Sequence, residues 1–279
     1  MALGFVGSAL VSTRPRAHAH GRAADRCALR CCARGEDTSQ RDGFVHAPIL
    51  VCTGKTCVRD GSKFTAAALD GLLDAGANGA VVRECGCLGE CGNGPNVVFY
   101  ERVQRRMRPV SSILQLAERY AAGSERQTGG VGINLNSAVA KALEEADRAR
   151  KIASKSDSAY ATKQALGCFE NAIQLLRNGS SPCPSRAYLE AAFLSNCAVL
   201  RLQQGEAASA LENANEAIGL VPDHPRSWAS RALSHAHLGA ADEADKCLTV
   251  LKKLDKDIEL DTREKVREAT KARRKFRLF

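Results

Sequence analysis

The stretch Gly86-Cys87-Leu88-Gly89-Glu90-Cys91-Gly92-Asn93-Gly94-Pro95-Asn96-Val97 decides how the first half of this chain is read. It holds two cysteines three residues apart, set among four glycines. Upstream, Val51-Cys52-Thr53-Gly54-Lys55-Thr56-Cys57 holds a second pair with four residues between its members. Four thiolates at these spacings can enclose a 2Fe–2S cluster, because each pair offers two soft, anionic ligands from one short loop. A structural zinc site also accepts paired cysteines. A dithiol–disulfide relay calls for C-x-x-C at a helix start, which neither pair has. Thr53-Gly54-Lys55-Thr56 looks like the end of a phosphate loop, but Ile49 stands where that motif needs its first glycine.

Strand and helix signals alternate over residues 44–122. His46-Ala47-Pro48-Ile49-Leu50-Val51-Cys52 predicts a buried strand ending at the first ligand. Ser62 is expected to cap a helix to about Ala75, with Phe64, Ala68, Leu69 and Leu72 on one face. Ala80-Val81-Val82-Arg83 predicts a second strand. Asn96-Val97-Val98-Phe99-Tyr100 and Val103 to Val110 predict a hairpin. Ser111 or Ser112 then caps a helix containing Ile113, Leu116, Ala117 and Tyr120. The expected order is β-α-β-β-β-α.

On these motifs, residues 45–121 resemble the thioredoxin-like 2Fe–2S ferredoxins and the related small flavoprotein-partner subunit of NADH dehydrogenases. The run from Gly86 to Val97 carries most of the resemblance. It implies a thioredoxin-like α/β fold holding one 2Fe–2S cluster, with Cys52, Cys57, Cys87 and Cys91 as ligands. It also implies that Cys85 is not a ligand. The plant-type C-x4-C-x2-C arrangement is absent. Glycines 86, 89, 92 and 94 are expected to wrap the backbone tightly and aim N–H groups at the sulfurs. Leu88, Pro95 and Val97 are expected to limit water there. Lys55, Arg59 and Arg83 can offset part of the cluster's negative charge, although a solvated surface is the plainer reading. Asp60, Glu84 and Glu90 read as surface acids, not catalytic groups.

The formal charge of +9 is carried by the two ends: residues 1–35 are net +5 and residues 263–279 net +6, so the body is close to neutral. No nucleic-acid partner is expected from the total charge. No run of about 18 apolar residues suggests a membrane span. Six arginines spread through Ala, Ser and Thr, with no acid before Asp25, give residues 1–35 the pattern of a disordered organelle transit peptide. A chloroplast is the expected destination, with a mitochondrion as the alternative. Of twelve cysteines, Cys27, Cys31 and Cys32 would leave with that peptide; the clustering of five between Cys52 and Cys91 favours a metal centre over structural bridges.

Residues 123–135 read as a Gly-rich linker. Residues 136–279 are helical in texture and repetitive. Gly205 and Gly239 are 34 apart, as are Ala210 and Ala244. Ala165-x3-Phe169-x2-Ala172-Ile173 matches Ala210-x3-Ala214-x2-Ala217-Ile218, with about 11 extra residues expected near Asn178–Ser185. Small residues recur where helices cross, and glycine recurs at the turn. This half resembles the tetratricopeptide repeat, about three units followed by a capping helix over 257–277; Trp228 is the one aromatic that fits well. Such arrays bind peptides or proteins in a groove. Arg150, Asn196 and Arg226 approximate the positions of a carboxylate clamp, but Ser154 and Ser230 stand where Asn and Arg would complete it.

Together these readings describe an organellar electron carrier rather than an enzyme. A redox protein would meet the cluster face, and the repeats would dock a protein partner. The alternative is a repeat scaffold or assembly factor with a structural or sensing 2Fe–2S or zinc site.

Overall fold

The computed structural model describes residues 48–74, 80–100, 102–127, 133–156, 158–179 and 183–276. The transit-peptide reading over 1–35, with Cys27, Cys31 and Cys32, lies outside the described residues. The chain is mostly helical, with one small four-stranded mixed sheet, and divides into two compact units at Ala140 and Lys141.

In the first unit, β1 (Ile49–Cys52) is followed by α1 (Lys55–Arg59) and α2 (Ser62–Leu73). Next come β2 (Val82–Cys85), β3 (Val97–Phe99), β4 (Arg102–Gln104) and α3 (Val110–Gln127). The sheet order is β2-β1-β3-β4; β1 pairs parallel with β2 and antiparallel with β3, and β3–β4 is an antiparallel hairpin. β1 is interior to the sheet, which accounts for its unbroken apolar sequence. Ile49 and Val51 are fully buried, as are Leu69 and Leu72 of α2 and Ile113 and Leu116 of α3. Helix α1, a short turn around Cys57, is not foreshadowed by any apolar period.

Several boundaries differ from expectation; the second strand runs Val82–Cys85, two residues later than expected. Gly61, not Ser62, is the N-cap of α2, and Ser62 lies inside its first turn, fully buried. The second hairpin strand stops at Gln104 instead of reaching Val110. Arg106 turns left-handed (φ 56) and its N–H leaves the ladder to donate to Asn93 O at 2.8 Å. Helix α3 therefore starts at Val110, and the carbonyl of Pro109, not a serine side chain, receives the N–H groups of Ser112 and Ile113.

The expected linker is partly structured. Helix α3 continues to Gln127, and a Cβ on Gly123 would sit 2.5 Å from the Tyr100 hydroxyl. Gly123 is therefore a packing contact for Tyr100, not a hinge. Ile133 is buried, and the Asn136 N–H donates to Leu72 O at 2.7 Å. Residues 128–132 lie outside the described residues.

The second unit contains most of α4 (Ser137–Lys155), then α5 (Ala159–Asn178), α6 (Pro184–Gln203), α7 (Ala207–Leu220), α8 (Pro225–Leu238), α9 (Ala241–Leu254) and α10 (Lys256–Phe276). Successive helices pack together from α5 to α10, an arrangement compatible with a helical repeat. The repeated small residues do what their spacing requires: Ala165 and Ala172 of α5, and Ala210, Ala214 and Ala217 of α7, are fully buried where neighbouring helices cross. The extra residues of the first repeat mainly lengthen helices. α5 and α6 have 20 residues each, where α7, α8 and α9 have 14.

Between α6 and α8 runs a buried polar chain. Ser195 and Ser227 hydroxyls lie 2.8 Å apart, and Ser227 is 2.7 Å from His224 Nδ1. Arg273 of α10 donates to the carbonyl of His237 at the end of α8. The basic end is thus partly engaged in capping a helix, whose C-terminal dipole favours a cation.

Candidate metal centre

The four cysteines lie at the ends of the strands and in the loops that leave them. Cys52 closes β1 and Cys57 sits in α1; both are buried. Cys87 and Cys91 follow β2 in the glycine loop and are exposed. The Cys87 and Cys91 sulfurs are 3.6 Å apart, and Cys52 is near enough to Cys57 to raise its thiol further.

The two loops are in direct contact. A Cβ on Gly54 would lie 3.2 Å from Cys87 Sγ and 3.1 Å from its Cβ. Reciprocally, a Cβ on Gly94 would lie 3.0 Å from Cys57 Sγ and 3.2 Å from its Cα. A side chain at either glycine would crowd the other loop's cysteine, which would have to give by a few tenths of an ångström. Thr56 hydrogen-bonds Cys91, and Thr53 donates both its N–H (2.8 Å) and its hydroxyl (2.6 Å) to Cys85 O.

Asn96 is the clamp that sequence reasoning left without a role. It is fully buried. Its carbonyl accepts the Cys52 N–H at 3.0 Å. Its Nδ2 faces Cys57 Sγ at 3.6 Å and donates to Glu90 O at 2.9 Å. One side chain therefore joins both loops. The signal in sequence was only its place after Gly94-Pro95, at the end of the motif.

The expected role of the glycines is corrected in part. Among the described residues, one glycine N–H reaches a sulfur, that of Gly89 to Cys87 Sγ at 3.4 Å. Gly94 instead supplies room for Cys57. Leu88 is buried in a cluster with Cys52, Cys57, Cys85 and Val98. Pro95 and Val97 are buried too. Cys85 sits opposite Cys52 across β1–β2, with its carbonyl used by Thr53.

Burial pushes the Cys57 thiol up to about 12, and the Cys52 thiol beside it adds to the effect. The Cys91 thiol is raised by its hydrogen bond with Cys87 and then by burial. A metal bound at either thiol would have to displace its proton. The Arg105 guanidinium, bonded to Glu90 at 2.9 and 2.6 Å, holds that carboxyl below the usual range. Glu90 is thus a structural anchor of the loop.

Among the described residues, no group of three or more His, Cys, Asp or Glu side chains converges as a single ion would require. The sulfurs stand as two pairs. Two soft thiols come from each of two touching loops, with the Asn96 amide beside Cys57.

Arg150, Asn196 and Arg226 lie on α4, α6 and α8, each half-buried. Ser230, where a clamp needs Arg, is buried and donates to Ser195 O at 3.3 Å. Trp228 packs against the core and donates to Pro222 O at 2.8 Å. No helix among the described residues is long and apolar enough to cross a membrane.

No family model matches this chain, and no curated protein matches it.

Proposed function

We propose that this protein is a one-electron carrier whose thioredoxin-like N-terminal unit binds one 2Fe–2S cluster through Cys52, Cys57, Cys87 and Cys91. The observation that carries the reading is the reciprocal contact of the loops, Gly54 against Cys87 and Gly94 against Cys57, with the thiols paired on each side. The sheet order, with parallel β1–β2 and an antiparallel β3–β4 hairpin under α2 and α3, supports the fold assignment.

When bound, such a cluster supplies reversible one-electron redox chemistry. The chain's own residues set its surroundings. Cys52 and Cys57 hold the buried side, and Cys87 and Cys91 the solvent side. Leu88 and Val98 exclude water from the inner pair. Asn96 Nδ2 donates toward Cys57, a contact that favours the more electron-rich sulfur. The helical unit, read as tetratricopeptide repeats, is the docking scaffold for a protein partner. The organelle address expected of residues 1–35 is part of the same proposal.

Anaerobic purification of the full chain, followed by iron, acid-labile sulfide and zinc analysis, tests this. The expected result is two irons and two sulfides per chain and a paramagnetic signal after dithionite reduction. Stoichiometric zinc without sulfide overturns the carrier reading in favour of a structural site.

A further inference from the structure

The first unit carries a run of exposed arginines on the segment whose backbone lies along its glycine loop. Segment 102–108 reads Arg102-Val103-Gln104-Arg105-Arg106-Met107-Arg108, and all four arginines are exposed. Backbone bonds lay this segment along the glycine loop. The Arg106 N–H donates to Asn93 O at 2.8 Å and the Met107 N–H to Pro95 O at 2.9 Å. Met107 is buried, and its carbonyl accepts the Thr65 hydroxyl at 3.0 Å. Arg106 is held at φ 56, a backbone region that a residue with a side chain occupies where its surroundings enforce it. Arg105 is paired with Glu90. Among the described residues, no carboxylate pairs with Arg102, Arg106 or Arg108.

We propose that this arginine rim is the docking face for an acidic protein surface, seated so that the partner meets the Cys87–Cys91 side of the centre. The proposal rests on the carrier reading and names the chemistry of its partner. Guanidinium groups pair bidentately with carboxylates, and complementary charge speeds encounter and fixes orientation. Two observations favour protein over other polyanions. A track for single-stranded nucleic acid combines cations with stacking aromatics, and among the described residues of this unit Phe64, Phe99, Tyr100 and Tyr120 are half-buried or buried. A lipid surface is met by apolar side chains as well as cations, and the exposed large apolar residues all lie in the second unit.

The test uses the metal-free full chain, so it is read separately from iron loading. Rates of Cys87 and Cys91 modification are measured with an anionic reagent, sulfonatoethyl methanethiosulfonate, and its cationic trimethylammonium counterpart, with sites assigned by peptide mass. At low salt the anionic-to-cationic rate ratio is expected to exceed that of 2-mercaptoethanol about tenfold, and to fall toward it in R106E/R108E. R102E/R108E, which leaves the left-handed position untouched, should fall likewise. A ratio at or below the free-thiol value in the unsubstituted chain overturns the rim. Poly-L-glutamate should then protect both cysteines from N-ethylmaleimide in the unsubstituted chain and not in the variants. No protection, or protection by poly-uridylate or phosphatidylglycerol vesicles that the variants abolish, overturns the acidic protein surface.

Discussion

Gly54 of the first cysteine loop lies so close to Cys87 of the second that a single methyl group would sit 3.2 Å from its sulfur. The contact fixes where two segments far apart in sequence meet, and it follows from nothing more than the missing Cβ. Gly94 does the same for Cys57, with the Asp60 carboxylate also only 2.9 Å from the virtual methyl.

Gly94→Ala should therefore be worse tolerated than Gly54→Ala. At Gly94 the added methyl meets the Asp60 carboxylate at 2.9 Å, Cys57 Sγ at 3.0 Å and its Cα at 3.2 Å; at Gly54 every contact is longer, Cys87 Cβ at 3.1 Å, Sγ at 3.2 Å and Cα at 3.4 Å, and Cys87 is exposed. We expect Gly94→Ala to cost about 1–3 kcal/mol of stability, typical of overpacking, and Gly54→Ala less. Denaturant midpoints of the metal-free protein measure the first effect, and iron retained per chain under chelator challenge measures the second. Equal and negligible losses at both positions would contradict the contact.

Asn96→Ala removes the Nδ2 donor from Glu90 O and from Cys57 Sγ. The Glu90 carbonyl keeps the Asn93 N–H at 3.4 Å, so the loss is that of one part-buried hydrogen bond, about 0.5–1.5 kcal/mol. Because Asn96 bridges both loops, the variant should lose metal under chelator faster than its loss of global stability explains. Iron release rate set against the urea midpoint separates the two.

Thiol reactivity in the metal-free chain should follow burial. Cys87 and Cys91 are exposed, whereas Cys57 is buried and its thiol is pushed up to about 12. Iodoacetamide at pH 8 should modify Cys87 before Cys57, since the thiolate is the nucleophile. Loading with iron and sulfide should then release protons and protect all four. Mass mapping over a time course decides the order; Cys57 reacting first would show that the first loop is open.

In the helical unit, burial lowers His237 below the ordinary value of 6.5, and the Arg273 charge lowers it further. Burial likewise lowers His235, with Arg231 adding to it. A histidine that is harder to protonate in the folded state favours folding above 6.5. That contribution is lost as pH falls through the folded value, because the unfolded chain takes up the proton first. The thermal midpoint should fall between pH 7 and pH 5, and His237→Gln should flatten the dependence. Arg273→Ala should do two things: remove the cap on the end of α8, about 0.5–1 kcal/mol, and weaken the acid sensitivity. Circular dichroism melts across that range check both.

Much of the candidate site was legible because paired thiols and their apolar neighbours are local features of the sequence. The cysteine pairs, Leu88 as their apolar cover and the strand leading into Cys52 are all visible in the linear sequence. What escaped were relationships between segments. Asn96 is unremarkable until its amide is found between Cys57 and Glu90. Ser62 looked like a cap, yet the chain enters α2 through Gly61. The strand predicted to reach Val110 ended early because Arg106 bonds across to Asn93. Gly123 looked like linker and proved to be a seat for Tyr100.

The order of residues alone determined the two-part composition of the chain, the paired thiols and the 34-residue period of small residues, since each depends on neighbours within a few turns or one repeat. The tertiary structure alone decided that the two thiol loops touch and that one pair is buried and the other exposed. These depend on backbone hydrogen bonds and on close approaches at glycine between residues some 30 to 40 positions apart. Such contacts form only when the packed sheet has brought the loops together.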